Sequence, residues 1–134
     1  MTSLWMVTLL SLCGAGFGQA AEPETVMVTL HAKSGAEAEL ARVIAQHWDA
    51  VRRLKMVSDA PHVTLKGAED GDKTYFVEIF TWRDASIPDA APAEIQVIWK
   101  LMNDLVESRD GKQGLDFAAV QVISAGESPM LNLP

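Results

Sequence analysis

The stretch from Thr74 to Arg83, TYFVEIFTWR, constrains the fold more than any other part of the chain. Its residues are aromatic or β-branched almost throughout, which is typical of a β-strand. A strand with one face in water alternates apolar and polar residues, but here both rows are apolar. One row is Tyr75, Val77 and Ile79, and the other is Phe76, Phe80 and Trp82, interrupted only by Glu78.

Both faces of this strand therefore need cover. We predict that the helices of the chain cover one face and that a second copy of the protein covers the other, which makes a homodimer. A strand inside an ordinary sandwich core is the alternative.

Residues 1–20 have the outline of a cleavable secretory signal. The segment has no charged side chain, an apolar run from Leu4 to about Leu12, and small residues before Ala21. Such a run is too short to cross a bilayer comfortably. We predict cleavage after Ala20 and a secreted or periplasmic protein with no membrane attachment afterwards; an uncleaved N-terminal anchor is the alternative.

The single cysteine, Cys13, lies in that segment. The mature chain would therefore have no disulfide, no thiolate nucleophile and no cysteine-ligated metal. The formal net charge is −7 and no basic run is present, so nucleic acid is not an expected partner.

The 134 residues allow one domain beyond the predicted signal, which we place at 25–125 with a tail at 126–134. Hydrophobic periodicity predicts a first helix that begins at Ser34 and runs to about Lys55, and a second helix over 93–108. A capping box of Ser34 and Glu37 is expected to open the first helix. The predicted strands are 25–32, 62–67, 74–83 and 115–124, with a turn at Asp70-Gly71 between the second and third.

The order strand, helix, strand, strand, helix, strand is the βαββαβ pattern of the ferredoxin-like α+β fold. Such a fold places a four-stranded antiparallel sheet under two helices and leaves the other face of the sheet bare. Two such sheets meeting face to face would form a dimeric α+β barrel.

Several short motifs follow one another in a familiar order. They are Lys33-Ser34-Gly35 before the first helix, His47-Trp48 and Arg52-Arg53 late in it, the strand from Phe76 to Trp82, and Ile98-Trp99 in the second helix. Over Val26 to Ile123 the chain resembles the dimeric α+β barrel proteins of the antibiotic-biosynthesis-monooxygenase type.

This resemblance implies a homodimer with a pocket between the helices and the sheet. The members of this family that are enzymes oxidise aromatic polyketides or quinols, or degrade haem, often without a prosthetic group. The haem-degrading branch has an asparagine on the first strand, and Met27 to His31 contain none. We predict no cofactor.

The candidate catalytic residues are His47 and Glu78. His47 lies within the apolar stripe of the first helix, and Glu78 is an isolated carboxylate whose pKa burial would raise. The alternatives are a core histidine for His47 and, for Glu78, a carboxylate paired with an arginine or with a helix end. Trp48, Trp82 and Trp99 come from three elements and are candidate pocket residues that could stack an aromatic ligand, or simply core residues.

A metal site formed by His31, His62 and Glu78 is disfavoured, because the three residues lie on separate strands with no close-spaced pair of ligands. We therefore predict no metal. The resulting hypothesis is an exported, cofactor-independent, monooxygenase-like enzyme acting on an aromatic or quinone-like small molecule. The alternative is a non-catalytic small-molecule binding or stress-related module of the same fold. One observation favours this alternative: many relatives carry a histidine at the start of the second helix, and the segment from Asp89 to Glu94 contains none.

Overall fold

A computed structural model of the protein describes residues 22–59 and 62–123. The predicted signal segment, its cleavage position and the tail at 126–134 lie outside these ranges and stay predictions. The elements are β1 (Glu24–His31), α1 (Glu37–Arg53), β2 (Val63–Glu69), β3 (Lys73–Trp82), a short 3₁₀-helix (Ile87–Ala90), α2 (Ala93–Asp104) and β4 (Leu115–Ala119). None of the helices in the described ranges has the length and apolar character needed to cross a membrane.

The four strands form one antiparallel sheet in the order β2-β3-β1-β4. The helices α1 and α2 lie against each other and pack on the sheet through a common apolar core. This arrangement is the ferredoxin-like α+β fold predicted from the sequence. β2 and β4 are the two edge strands, so the apolar strand β3 and its neighbour β1 occupy the centre of the sheet.

The two side-chain rows of β3 face different environments. Phe76, Glu78, Phe80 and Trp82 are buried beneath the helices, whereas Tyr75, Val77, Ile79 and Thr81 are only partly buried on the opposite face. Strand pairing extends this second face with Leu65 and Val63 of β2 and with Met27 of β1. Leu65 is 52% exposed. The helices thus seal one face, and the apolar row on the other face remains open in the single chain.

The predicted capping box of Ser34 and Glu37 is wrong. The N-cap residue of α1 is Ala36, and no side chain caps the helix. Ser34 lies in a turn with Gly35, whose φ of +84° favours glycine. The Ala36 N–H closes this turn on the Lys33 carbonyl at 2.9 Å. Ser34 therefore lies two residues too early to reach the free N–H groups of the helix.

The second helix ends at Asp104, four residues before the predicted end. The chain leaves the helix because the following residues pair with the end of β1. Lys33 donates its backbone N–H to the Leu105 carbonyl at 2.9 Å, and Glu107 donates to the His31 carbonyl at 2.9 Å. These tertiary hydrogen bonds override the helical periodicity that continues through Val106.

The last strand is also shorter than predicted, ending at Ala119 instead of 124. Its register pairs Ala119 with Val26 of β1, close to the start of that strand at Glu24. One further backbone hydrogen bond joins the Val120 N–H to the Thr25 carbonyl at 2.9 Å. β1 therefore offers almost no partner beyond this point.

A buried arginine at the opposite end of the sheet, where β1 ends and β3 begins, was not singled out by the sequence. Arg109 is 6% exposed and donates from Nη1 to the Thr74 carbonyl at 3.0 Å and from Nη2 to the Ala32 carbonyl. Carboxylates of Glu107 and Glu69 lie 3.3 and 3.6 Å from its guanidinium nitrogens. The side chain thereby ties the end of β1 to the start of β3.

Replacing this arginine should destabilise the fold. Arg109→Met leaves the Ala32 carbonyl without a donor and leaves the Thr74 carbonyl with only the Ala32 N–H, so we expect the free energy of unfolding to fall by about 2 kcal/mol in urea denaturation. The control is Arg42→Met, because Arg42 is exposed on α1 and pairs only with neighbouring side chains; this variant should stay close to the wild type. Equal effects of the two substitutions would contradict the role of Arg109.

Candidate functional site

A carboxyl group lies buried between the sheet and the helices. Glu78 projects from the middle of β3 onto the helix-covered face and is 1% exposed. Its Oε1 lies 2.9 Å from Nε2 of His62, within hydrogen-bond distance, and its Oε2 lies 3.9 Å from Nδ1 of His47. The two oxygens of one carboxyl group therefore each face an imidazole. We call these three residues the His47–Glu78–His62 network.

His47 is held from the side opposite to Glu78. The indole Nε1–H of Trp99 donates to His47 Nε2 at 3.1 Å, and the rings of Phe80 and Trp82 approach the imidazole edge-on. Because an indole N–H can only donate, Nε2 must be unprotonated. The neutral imidazole then carries its proton on Nδ1, which points toward Glu78 and has no hydrogen-bond partner among the described residues.

His62 lies nearer to the surface, just before the edge strand β2. Its side chain is 20% exposed and stacks on the ring of Trp48, with 3.6 Å between centroids and 12° between planes. The Thr64 hydroxyl lies 3.3 Å from His62 Nε2. The guanidinium of Arg52 also lies over Trp48, 5.8 Å from the ring centroid.

Burial keeps all three groups of the network uncharged near neutral pH. It raises the pKa of Glu78 from 4.5 to about 8 and lowers the pKa of His47 from 6.5 to about 4. The pKa of His62 is lowered by its own burial and then by the positive charge of Arg52. Two neutral imidazoles offer no charge that would hold Glu78 ionised, so at pH 7 its O–H donates to His62 Nε2.

The arrangement can move a proton between the interior and the protein surface. A proton that passes from Glu78 Oε1 to His62 Nε2 can be matched by one leaving from His62 Nδ1, the nitrogen that Glu78 does not contact. The resulting carboxylate would then face two N–H groups, from His62 and His47, which stabilise its charge. A group with a pKa of about 8 beside a partly exposed histidine suits general acid–base chemistry at neutral pH.

The structure brings the predicted catalytic candidates His47 and Glu78 together, although it does not test their roles. His62 was not among the predicted catalytic candidates. Thr64 lies directly opposite Glu78 in the β2–β3 register, so His62, two residues earlier, shares its face. A hairpin register counted back from the turn could have indicated this contact.

The three predicted pocket tryptophans divide into two sets. Trp82 and Trp99 meet edge to face at 6.4 Å beside His47, whereas Trp48 lies on the His62 side with Phe80 between. Two surface clefts, of about 550 and 450 Å³, border other residues. The ligand-pocket role of the tryptophans stays a prediction. His31, proposed with His62 and Glu78 for a disfavoured metal site, lies instead beside Glu69 at 3.1 Å, in ion-pair range but without a hydrogen bond.

Among the described residues, no group of three or more His, Cys, Asp or Glu is arranged to hold a metal ion. The network is consistent with this result, because Glu78 separates its two histidines and the nearest nitrogen on one side is 3.9 Å away.

Solved structures share this α+β fold. One is SnoaB, a cofactor-independent oxygenase from Streptomyces nogalater, with a TM-score of 0.56 and 19% identity over 78% of this chain and 96% of that one. A protein from Bacteroides thetaiotaomicron, described as a possible oxidoreductase, has a TM-score of 0.55 and 13% identity over 75% of this chain and 100% of its own. A dimeric ferredoxin-like protein from Jannaschia has a TM-score of 0.52 and 16% identity over 75% of this chain and 99% of its own.

No family model and no curated protein matches the chain. At these identities the structural neighbours show the fold.

The raised pKa of Glu78 predicts a specific dependence of stability on pH. Between pH 6.5 and 8 the native state retains a proton on Glu78 that the unfolded chain has released, so the free energy of unfolding should fall as pH rises. The free energy of unfolding should fall by up to about 1.4 kcal/mol per pH unit, and by about 2 kcal/mol in total between pH 6.5 and 8. Below pH 6.5 the lowered pKa of His47 acts in the opposite direction and masks the effect.

Urea denaturation at several pH values measures this slope. Glu78→Gln should flatten it, because the amide does not titrate. Glu39→Gln, which alters an exposed carboxylate paired with Arg42, should leave it unchanged. A wild-type stability that does not fall between pH 6.5 and 8 would contradict the protonated state of Glu78.

Proposed function

We propose that this protein is a cofactor-independent, monooxygenase-like oxidoreductase acting on an aromatic or quinone-like small molecule. The observation that carries the proposal is the hydrogen bond between the buried Glu78 and the partly exposed His62. It provides an acid–base pair that is uncharged at rest. A neighbour of the same fold is a cofactor-independent oxygenase and another is described as a possible oxidoreductase, which agrees with this chemistry.

The residues of the network have different roles in this proposal. His62 is the group that meets the substrate, because it is the most exposed of the three, and Glu78 supplies or accepts its proton from behind. His47 is a positioning residue. Held by Trp99 at 3.1 Å, it turns an N–H toward the second oxygen of Glu78 and favours the carboxylate when it forms.

The reaction suited to such a pair begins with removal of an acidic proton. Once His62 Nδ1 has released its proton and Nε2 has taken the proton of Glu78, an aromatic methylene compound gives one C–H proton to Nδ1, and the resulting carbanion reduces O₂ and forms a C–O bond, giving a peroxide anion. That anion takes the proton back. Loss of the second C–H proton then breaks the O–O bond and releases hydroxide, which is protonated to water. The sum is R₂CH₂ + O₂ → R₂CO + H₂O, in which carbon loses four electrons and oxygen gains four.

The aromatic side chains around the network suit an aromatic substrate. Trp48 already stacks in parallel on His62, and Trp82 and Trp99 surround His47 with apolar edges. In the proposal, the substrate ring lies against the Trp48–His62 stack. The low polarity there favours an electron-rich aromatic anion reacting with O₂ over its protonation by water.

A non-catalytic binding module of the same fold is the second candidate. It is favoured by the close packing of Trp82, Trp99 and His47 on one another, an arrangement that a structural core also explains. This candidate predicts ligand binding without oxygen consumption.

Anthrone, whose methylene lies between two aryl rings, is a suitable probe. The wild-type protein should consume oxygen and form anthraquinone, and Glu78→Gln and His62→Gln should each lower kcat by about a hundredfold, since both remove the proton-transfer path. His47→Ala should lower kcat less, because His47 acts through Glu78. An oxygen electrode and the absorbance of the product measure the reaction.

His31→Gln provides the matched control, because His31 lies outside the network, beside Glu69. It should keep wild-type turnover. Circular dichroism melts identify any variant that fails to fold. Wild-type turnover in folded Glu78→Gln and His62→Gln would exclude the proposed acid–base role, and a wild-type protein that binds the probe without consuming oxygen would support the binding module.

We also propose that the protein is a homodimer formed through the open face of the sheet. This face presents Val63, Leu65, Val77, Ile79 and Met27, of which Leu65 is 52% exposed. A continuous apolar surface in the centre of a sheet is typical of an interface. A neighbour of the same fold is described as dimeric.

Sedimentation equilibrium tests the dimer. The wild type should have twice the mass of one chain at micromolar concentration, and the double variant Leu65→Lys with Ile79→Lys should have the mass of one, because two charges would be buried in each half of the interface. The control is Val97→Lys on the outer face of α2, where Val97 is 60% exposed. A wild type that stays monomeric would exclude this interface.

A further inference from the structure

A basic cleft lies at the C-terminal end of α1, beside the network. Its volume is about 450 Å³. It is lined by four cations, Arg52, Arg53, Lys55 and Arg83, and by the carboxylates of Asp49 and Asp59. The four positive and two negative charges give a net charge of +2.

This charge is unusual for the chain. The protein carries a formal net charge of −7 and only eleven lysines and arginines, and four of them line this one cleft. The other cleft, of about 550 Å³, is balanced: Lys73, Arg109 and Lys112 face Glu69, Asp70 and Asp110. Acidic proteins that bind anions need such a local reversal of charge, because the overall field repels the ligand.

The helix terminus explains only part of the cluster. Arg52 and Arg53 lie in the last turn of α1, where cations offset the negative end of the helix dipole. Lys55 and Arg83 lie outside the helix. Lys55 has a φ of +56°, a conformation in which glycine or asparagine is usual after a helix and a lysine costs free energy.

Part of this charge is still available to a ligand. Arg53 pairs with Glu94, and Arg83 donates from Nε to the Val57 carbonyl at 3.0 Å. Arg52 has no carboxylate partner among the described ion pairs and rests on the ring of Trp48. A guanidinium in that position can bind an anion while its face remains on the indole.

Arg52 joins the cleft to the network. Its guanidinium lies 5.8 Å from the centroid of Trp48, Trp48 stacks on His62 at 3.6 Å, and His62 contacts Glu78 at 2.9 Å. A flat molecule against the stack can therefore bring a substituent to Arg52, which also lines the cleft. On this basis, which rests on the proposed function, we infer that the substrate is an aromatic acid whose carboxylate binds in the basic cleft through Arg52 and Arg83.

Binding of such an acid would also change the network. In the free protein, burial lowers the pKa of His62 and the charge of Arg52 lowers it further. Of the groups that face His62, Glu78 and His47 are uncharged and Arg52 is positive, so a carboxylate placed on Arg52 offsets the remaining charge. His62 then accepts a proton more readily when a substrate is bound.

Isothermal titration calorimetry with 2-naphthoate and its neutral analogue 2-naphthamide tests the inference. At low salt, 2-naphthoate should bind about tenfold more tightly, the difference of one favourable ion contact. Arg52→Gln and Arg83→Gln should each weaken 2-naphthoate about fivefold or more and leave 2-naphthamide unchanged. Arg42→Gln is the control, because Arg42 lies on the same helix outside the cleft and pairs with Glu39.

Three results would overturn the inference. The acid and the amide could bind with equal affinity, Arg52→Gln could bind 2-naphthoate like the wild type, or acetate could bind as tightly as 2-naphthoate. NMR titration of His62 gives an independent signal: 2-naphthoate should raise its pKa in the wild type and not in Arg52→Gln. These measurements need no turnover. A protein that prefers the acid but never consumes oxygen would support this inference and contradict the proposed reaction. An active enzyme that binds the acid and the amide equally would support the reaction and contradict this inference.

Discussion

The contact between Glu78 and its two histidines is the constraint on which the rest of this structure depends. A carboxyl group at the centre of an apolar sheet loses its hydration, and without hydrogen-bond partners this would cost several kcal/mol. His47 reaches it from α1 and His62 from the segment before β2. The same three side chains thus connect the first helix, the central strand and the start of the edge strand. Apolar residues alone would allow either element to shift by a small step.

Much of this could be predicted from residue order alone. The two apolar rows of β3 assigned Glu78 to the same face as Phe76 and Phe80, and the helical stripe assigned His47 to the buried face of α1, so both halves of the 3.9 Å contact were expected on buried surfaces. The prediction of one face under helices and one apolar face left open followed from the same strand. Local periodicity is sufficient there, because burial of one face does not depend on distant register.

What the sequence could not provide depends on register and on tertiary hydrogen bonds. His62 reaches Glu78 only because the β2–β3 turn pairs Glu69 with Lys73, which sets Thr64 opposite Glu78; a slip of one residue would turn His62 to the other face. Arg109 is buried because it donates to carbonyl groups of two distant segments, and no periodic pattern encodes these contacts. The ends of α2 and β4 likewise follow from pairing with β1.

The two faces of the sheet also separate the two proposed roles of the protein. The network lies on the helix face, and within residues 22–59 and 62–123 the contacts that orient it come from α1, α2, β3 and the chain at the start of β2. A partner on the open face would add no group to it. The surface nearest to the network is instead the start of the edge strand, where His62 and Trp48 are stacked and Arg52 leads into the basic cleft. Assembly can therefore bury the apolar face and still leave the approach to the acid–base pair open.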